Sequence, residues 1–302
     1  MVVELAAGDP DPDAAATARL ASQPFVVIVH GSVSPAWVAL SDAVADAGDG
    51  SLDDIVATVT ACPLSATALV LLLRGGSARS VAEGLVAESA VYSTLQAGPE
   101  FAAWRAAAPV RAPSDRDDAP RVVVTRHDAT LVVTLHRPDR LNALDARMRD
   151  ELLDALSVAG ADPALTRIEL RGEGRSFCAG GDLNEFGRRS DPATAHVIRL
   201  QRSVARVLHE LSARTTAYVH GPCAGSGIEL AACCGTVVAD PDTTMSLPEV
   251  RLGLIPGAGG TASLPRRIGR QRTAWLALTG RAIDAATALE WGLVDALEGG
   301  GV

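Results

Sequence analysis

The 302-residue chain contains no lysine, and its 27 basic residues are all arginine. Without lysine, the chain cannot form a Schiff base on a side-chain amine. It also cannot carry a Walker-type phosphate-binding loop, which uses a lysine. The 36 acidic residues outweigh the arginines and leave a net charge of −9. Because nucleic-acid-binding proteins present clustered positive charge, this balance argues against nucleic acid as the main partner.

Cysteine and aromatic residues are scarce. The five cysteines are an odd number and include the adjacent pair Cys233 and Cys234, which does not suit a disulfide framework. No cysteine or histidine shows C-x-x-C or H-E-x-x-H spacing, so no metal site is predicted. Aromatic residues make up only 3%, which predicts a core of Ala, Val and Leu. We expect the cysteines to be small buried side chains in a reducing compartment.

Long hydrophobic runs are also lacking. No segment approaches the roughly 18 apolar residues of a membrane span, and the first residues carry acidic groups where a secretory signal starts with basic ones. Hydrophobic residues make up 48% and charged residues 21%, which is typical of a packed soluble domain. We therefore expect a cytoplasmic protein with no membrane partner.

A segment rich in Pro, Asp and Arg divides the chain. This segment, "PVRAPSDRDDAP", has no hydrophobic period and predicts an exposed linker over residues 110–120. Residues 51–109 predict helices with a break near Gly75 and Gly76. Residues 1–50 contain the strand-like run "FVVIVHG" but match no assignable domain, and an extra strand and helix are the expectation there. Residues 121–302 alternate strand and helix patterns, which indicates an α/β core.

Several elements of this core follow from local patterns. The β-branched runs around "HDA" predict a hairpin, and Asp145 is a suitable N-cap for the helix that follows. "RIELRG" and "TTAYVHG" predict strands. Between them, "ATAHVIRLQRSVARVLHELS" predicts one long amphipathic helix.

Two glycine-rich loops follow these two strands. They are "RSFCAGGDL" (175–183) and "GPCAGSGIEL" (221–230), in which small side chains leave backbone N–H groups accessible. Two such N–H groups aimed at one oxygen form an oxyanion hole, and the second loop starts a helix whose dipole favours negative charge. For either loop alone, an ordinary tight turn is the alternative.

Two glutamates stand in apolar sequence near these loops. Glu229 lies about one turn into the helix of the second loop, and Glu249 lies in "SLPEVRLGLIPGAGG". Desolvation there is expected to raise their pKa values toward the range that suits proton transfer. Taken singly, Glu229 has a simpler interpretation as a helix N-terminal charge, and Glu249 as a partner of Arg251.

The combination of motifs from about Arg121 to Leu297 resembles the core of the enoyl-CoA hydratase/isomerase (crotonase) superfamily. The matching stretches, in family order, are "HRPDRLNALDARM", "RSFCAGGDLNEF", "GPCAGSGIELAACCGTVVAD" and "SLPEVRLGLIPGAGGTASLPRRIGRQRTAWLALTGRAIDAATALEWGLVDAL". The resemblance implies an α/β fold, a crotonase-like spiral of ββα units with a helical lid and trimerisation section. It also implies a homotrimer or hexamer and an acyl-CoA thioester as substrate, without a separate cofactor.

The resemblance also implies roles for single residues. The N–H groups of Gly181 and Ser226 would form the oxyanion hole for the thioester oxygen. Glu229 and Glu249 would deprotonate water at C3 and protonate C2, and Gly257 would help to hold that water. Contacts with coenzyme A are implied for Arg140, Leu141, Ala143, Ala179, Asp182 and Leu183.

One departure from the family concerns chain order. Family members continue after the core into the helical section, whereas here residues 51–109 resemble that section and precede the core of residues 121–302. This predicts a permuted arrangement, with an unrelated helical domain as the alternative. In "WRAAAP", only Arg105 remains to approach the phosphates of coenzyme A.

Because both glutamates are present, the resemblance favours hydration of a trans-2-enoyl-CoA to a 3-hydroxyacyl-CoA. Double-bond isomerisation or another enolate reaction is the first alternative. A non-catalytic CoA-binding subunit is the second.

Overall fold

The strands of the computed structural model, which describes residues 1–46, 48–108, 119–187 and 191–298, form three sheets. Most of the predicted linker lies outside the described residues. A six-stranded sheet has the order β12-β9-β7-β6-β5-β4, a smaller one the order β11-β10-β8, and the N-terminal one the order β1-β2-β3. The strands are β1 Val2–Leu5, β2 Ile28–Gly31, β3 Ala43–Ala45, β4 Val122–His127, β5 Thr130–Leu135, β6 Arg167–Gly172, β7 Thr215–Val219, β8 Pro222–Ala224, β9 Thr236–Ala239, β10 Thr244–Ser246, β11 Ile283–Asp284 and β12 Ala296–Leu297.

Helices cover these sheets and connect their strands. They are α1 Ala14–Ala21, α2 Pro35–Leu40, α3 Ser51–Ala61, α4 Pro63–Arg74, α5 Val81–Gln96, α6 Pro99–Ala107, α7 Ala146–Ala161, α8 Pro192–Gln201, α9 Val204–Glu210, α10 Ser226–Cys233, α11 Gly260–Thr279 and α12 Ala285–Trp291. α11 is kinked at Gly269, whose φ of 80° interrupts the helical backbone. Short 3-10 turns include Pro138–Arg140 and Glu249–Leu252.

The large sheet confirms the predicted α/β core. β4 and β5 form the predicted antiparallel hairpin, and β5, β6, β7, β9 and β12 are parallel. Such parallel strands need crossover connections, which α7 and the α8–α9 pair supply. Asp145 caps α7 as predicted, because its side chain accepts a hydrogen bond from Met148 N–H.

The predicted long helix between β6 and β7 is wrong. The chain forms α8 and α9 instead, separated by Arg202, whose φ of −112° and ψ of 37° are not helical. Ser203 then caps α9 by accepting a hydrogen bond from Arg206 N–H at 3.2 Å. Serine is a favourable N-cap residue, and its side chain competes with the helical backbone hydrogen bonds. The hydrophobic pattern therefore continues through position 203, although the helix itself is interrupted there.

Each predicted helical stretch ahead of the linker contains two helices, and the break near Gly75 is confirmed. The extra breaks fall just before Pro63 and Pro99, where proline starts a new helix. No single described helix is long and apolar enough to cross a membrane. The pair Ser51–Ala61 and Pro63–Ala78 meets that test only together across a 111° bend, and Ile55, Leu69 and Leu73 of this pair are buried in the protein core.

Residues 1–46 fold into more than the expected extra strand and helix. They form a parallel three-stranded sheet with α1 and α2 as connections. Asp42, which is 1% exposed, joins this unit to the helices by an ion pair of 2.6 Å with Arg74 and a second of 3.4 Å with Arg270.

The helices α3, α4 and α5 pack against α11, so one hydrophobic core includes residues from both sides of the linker. The core is rich in Leu, Val and Ala as predicted, and four of the five cysteines are buried within it as free thiols. The predicted permutation is not tested by this arrangement and stays a prediction. The packing also brings α3 and α6 into contact with the Glu249–Leu252 turn.

Candidate active site

The two glycine-rich loops lie side by side, as expected for an oxyanion hole. Ala224 N–H donates to the carbonyl oxygen of Cys178 at 3.1 Å, and a Cβ added at Gly225 would lie 3.6 Å from Gly180 Cα. Gly225 has a φ of 49°, which favours glycine. A side chain there would also collide with Glu249, whose Oε1 would be 2.3 Å from the added Cβ.

The two predicted N–H donors are left unused by the protein. Leu144 N–H donates to Gly180 O at 2.8 Å, and Asp182 N–H donates to Leu144 O at 2.9 Å. Gly181 N–H, which lies between these two bonds, takes no part in this pairing. Ser226 is the first residue of α10, so its N–H has no partner within the helix. Across the described ranges, neither N–H donates a hydrogen bond to a protein acceptor. Both residues line the same cleft.

Glu229 is held rigidly at the wall of this cleft. It is 2% exposed, and its Oε2 accepts hydrogen bonds from Ala258 N–H at 2.7 Å and Gly260 N–H at 2.8 Å. Burial is the main cause that raises its pKa well above the ordinary value, and the negative charges of Glu249 and Glu88 add to it. The two N–H bonds oppose this rise. Glu229 is therefore more than a helix N-terminal charge.

Glu249 is buried but differently held. Its Oε2 is inaccessible and receives no hydrogen bond from any described residue. The sequence-based pairing with Arg251 is not formed, because that guanidinium donates to Thr279 O and to Thr58 Oγ1. Burial raises the pKa of Glu249 to about 7, with Glu88 contributing. A buried carboxylate oxygen without a hydrogen-bond donor is costly and is more often found at functional sites than in ordinary cores.

Gly257 lies at the same cleft against the ring of Tyr92. A Cβ added at Gly257 would approach that ring to 2.3 Å, so the close contact requires glycine. The Arg199 guanidinium carbon stands over the same ring, 4.4 Å from its centre. Tyr92 belongs to α5, so the front helices supply part of the cleft wall.

A third carboxylate, Glu88 of α5, was missed by the sequence analysis. It is 2% exposed and lines the cleft with Glu229 and Glu249. The sequence does contain a pattern that indicates its burial. Leu85, Glu88 and Tyr92 have helical spacing, so Glu88 lies on the buried face of α5.

The cleft has a volume of about 270 Å³ and brings together most of the predicted catalytic groups. Gly181, Ser226, Glu229, Glu249 and Gly257 all line it.

Of the residues implied for coenzyme A, Asp182 lines the cleft itself. The other five lie outside its lining, on the first glycine-rich loop and on the segment between β5 and α7, which are joined where Ala179 N–H donates to Leu141 O at 2.9 Å. These five residues are Arg140, Leu141, Ala143, Ala179 and Leu183.

The same edge carries two arginines of interest. Arg137 forms an ion pair of 2.8 Å with Asp182, which fixes the first loop. Arg105 of α6 donates to the carbonyl oxygen of Leu183 at 3.3 Å. Arg105, the residue predicted to approach the coenzyme A phosphates, therefore contacts the first glycine-rich loop, where contacts with coenzyme A are also expected.

Comparison with known proteins agrees with this geometry. The model of the family described as enoyl-CoA hydratase/isomerase matches residues 125–298. The chain belongs to this family. Its fold is accordingly that of the crotonases, a mixed α/β architecture, and the family acts on CoA thioesters.

Individual relatives are similar over the same part of the chain. The 2,3-dehydroadipyl-CoA hydratase of Escherichia coli (strain K12) is 36% identical over 173 residues, 57% of this chain and 67% of the relative. A probable enoyl-CoA hydratase of Mycobacterium tuberculosis is 35% identical over 175 residues, 57% of this chain and 66% of the relative. The crystal structure of enoyl-CoA hydratase from Thermoplasma volcanium GSS1 superposes with a TM-score of 0.56 and 32% identity, covering 59% of this chain and 72% of that one. The matched part thus spans about two thirds of the curated relatives' own length.

Proposed function

We propose that the protein adds water to a trans-2-enoyl-CoA and forms a 3-hydroxyacyl-CoA. The thioester oxygen binds to the N–H groups of Gly181 and Ser226. Water oxygen bonds to C3 while a carboxylate takes a water proton, and the electron pair of the double bond moves onto the thioester as an enolate. A proton then bonds to C2 and restores the thioester.

The observation that carries this proposal is the unpaired Oε2 of Glu249 beside the fixed carboxylate of Glu229. Burial raises the pKa of both carboxylates, that of Glu249 to about 7, and raised pKa values suit groups that accept and return a proton. The positive end of α10 adds to the stabilisation of the enolate, since Ser226 N–H lies at its first turn.

Hydration changes no oxidation state overall, because hydrogen and hydroxyl are both taken from water. We therefore propose that the reaction uses the chain's carboxylates and N–H groups without a metal or redox cofactor. A cytoplasmic location and assembly as a homotrimer or hexamer stay predictions.

Loss of the enoyl-thioester absorbance with crotonyl-CoA, and with a longer enoyl-CoA, tests the proposal. Glu229→Gln keeps an oxygen that accepts from Ala258 and Gly260 but cannot take a proton, so we expect kcat to fall by about 10²- to 10⁴-fold. Glu290→Gln changes an exposed glutamate and serves as the matched control.

Retained turnover in Glu229→Gln would contradict the two-carboxylate reaction and favour isomerisation with Glu249 as the single acid–base group. Inactivity of the unaltered protein toward both substrates, together with CoA binding in calorimetry, would favour the non-catalytic alternative.

A further inference from the structure

The backbone segment that holds Glu229 is held on its other side by Glu88. Glu88 Oε1 accepts from Gly259 N–H at 2.7 Å, and its Oε2 accepts from Thr261 N–H at 2.8 Å and from Thr261 Oγ1 at 2.7 Å. Glu229 takes the two intervening N–H groups, those of Ala258 and Gly260. Four consecutive N–H groups at the start of α11 are thus shared alternately between two carboxylates.

This alternation links the positions of the two carboxylates. The segment turns through Gly259, whose φ of 105° makes successive N–H groups point to different sides. If the N–H groups of Gly259 and Thr261 lost their acceptor, the segment would be held less firmly, and the donors that fix Glu229 would lose part of their support. Every hydrogen bond from the segment to Glu88 is buried, so the cost of leaving its donors unpaired is high.

Glu88 also adds charge to the site. Its own pKa is raised to about 7, mainly by burial, while the Thr261 and Gly259 bonds and Arg199 oppose the rise. It is a cause of the raised pKa of both Glu229 and Glu249. The titratable and charged groups around it, from α5, α8, α10 and the Glu249–Leu252 turn, are Tyr92, Arg199, Glu229, Cys233 and Glu249.

We propose that Glu88 is a positioning residue for the reaction: it fixes the Ala258–Thr261 segment and, through that segment and its own charge, sets the position and proton affinity of Glu229. The front helices therefore supply part of the acid–base machinery and not only a cover. This inference rests on the proposed acid–base role of Glu229.

The test compares Glu88→Gln with Glu83→Gln in the full-length chain. Glu83 lies on the same helix but is exposed and only caps it by accepting from Ser80, a role that glutamine also fills. In Glu88→Gln, we expect kcat for crotonyl-CoA to fall about ten- to a hundredfold with little change in KM. We also expect the acidic limb of the kcat/KM profile to move to lower pH by about one unit. The negative charge of Glu88 raises the pKa of Glu229 more than either N–H bond lowers it, so loss of the charge outweighs a loosening of those bonds. Glu83→Gln should change neither.

A purely structural role for Glu88 predicts a lower melting temperature and an unmoved pH profile, and that result would overturn the proposal. Carboxyl ¹³C NMR of glutamate-labelled protein gives a readout that does not depend on hydration. Glu88→Gln should lower the titration midpoint assigned to Glu229 even if crotonyl-CoA is not a substrate. If Glu88→Gln does not fold, the same NMR titration is carried out on the unaltered protein. We then expect Glu88 and Glu229 to titrate as a coupled pair, each with a two-step curve. Independent single-step curves would refute the coupling.

Discussion

Glu249→Gln should stabilise the protein at alkaline pH while abolishing activity. In the native state the pKa of Glu249 is raised from an ordinary 4.5 to about 7 by burial. The native protein therefore binds the proton more tightly than the unfolded chain, and its stability falls as pH rises through this window. The full difference corresponds to about 3 kcal/mol above the window, at about 1.4 kcal/mol per pH unit. Glutamine carries no charge and removes this cost.

The amide itself has a cost, because its N–H₂ group is buried where Oε2 had no partner. Allowing about 1 kcal/mol for this, we expect a net gain of about 2 kcal/mol at about pH 8 and little or none at about pH 5. The increase in this stability gain from about pH 5 to about pH 8 does not depend on the cost of burying the amide.

Urea unfolding of Glu249→Gln at both pH values measures this increase, with the exposed Glu290→Gln as the control. A stability difference that does not grow with pH would refute the reasoning that Glu249 is held as a strained, buried acid. We expect kcat for crotonyl-CoA to fall by about 10²-fold or more in the same variant. Sites that combine lost activity with gained stability are typical of functional strain.

Two further predictions concern the oxyanion hole and the N-terminal unit. Ser226→Pro removes one N–H at a helix position where proline is tolerated, so kcat should fall by about 10²- to 10³-fold, whereas Ser226→Ala keeps the N–H and should stay near the unaltered rate in the same absorbance assay. Asp42→Asn leaves Arg74 and Arg270 without their shared buried counter-ion and should lower the free energy of unfolding by about 3 kcal/mol in urea titrations. Asp162→Asn, at a carboxylate that is only half-buried and pairs with Arg126, is its control, and an equal loss in both would contradict a special role for the buried pair.

The two glycine-rich loops could be predicted from the sequence because their signals are local, whereas the roles of Gly181 and Ser226 were implied by the family resemblance. Glycines beside a strand end and a carboxylate one helical turn later specify backbone geometry within a few residues, and Gly181, Ser226 and Glu229 do meet at one cleft. The same motifs predicted that Glu249 lies near them. That its Oε2 receives no hydrogen bond could not be predicted, because this depends on neighbours that are distant in sequence.

The contribution of α5 was not predictable in the same way. Helical spacing with Leu85 and Tyr92 places Glu88 on the buried side of its helix, but only packing against α11 determines which groups it contacts there. The break between α8 and α9 was missed for a related reason: the hydrophobic pattern continues through it, while a single serine hydroxyl decides where the helix ends.

The order of the chain has a consequence for its synthesis. α4 ends at Arg74, but α11, against which it packs, begins only at Gly260. At the ~5–20 residues per second of translation, the front helices wait roughly 10 to 40 s for the surface that buries them. During that time the apolar side chains of Leu69 and Leu73, later fully buried, remain exposed to water and to other chains. The arrangement that places Glu88 in the cleft therefore delays the burial of these leucines until most of the chain has been made.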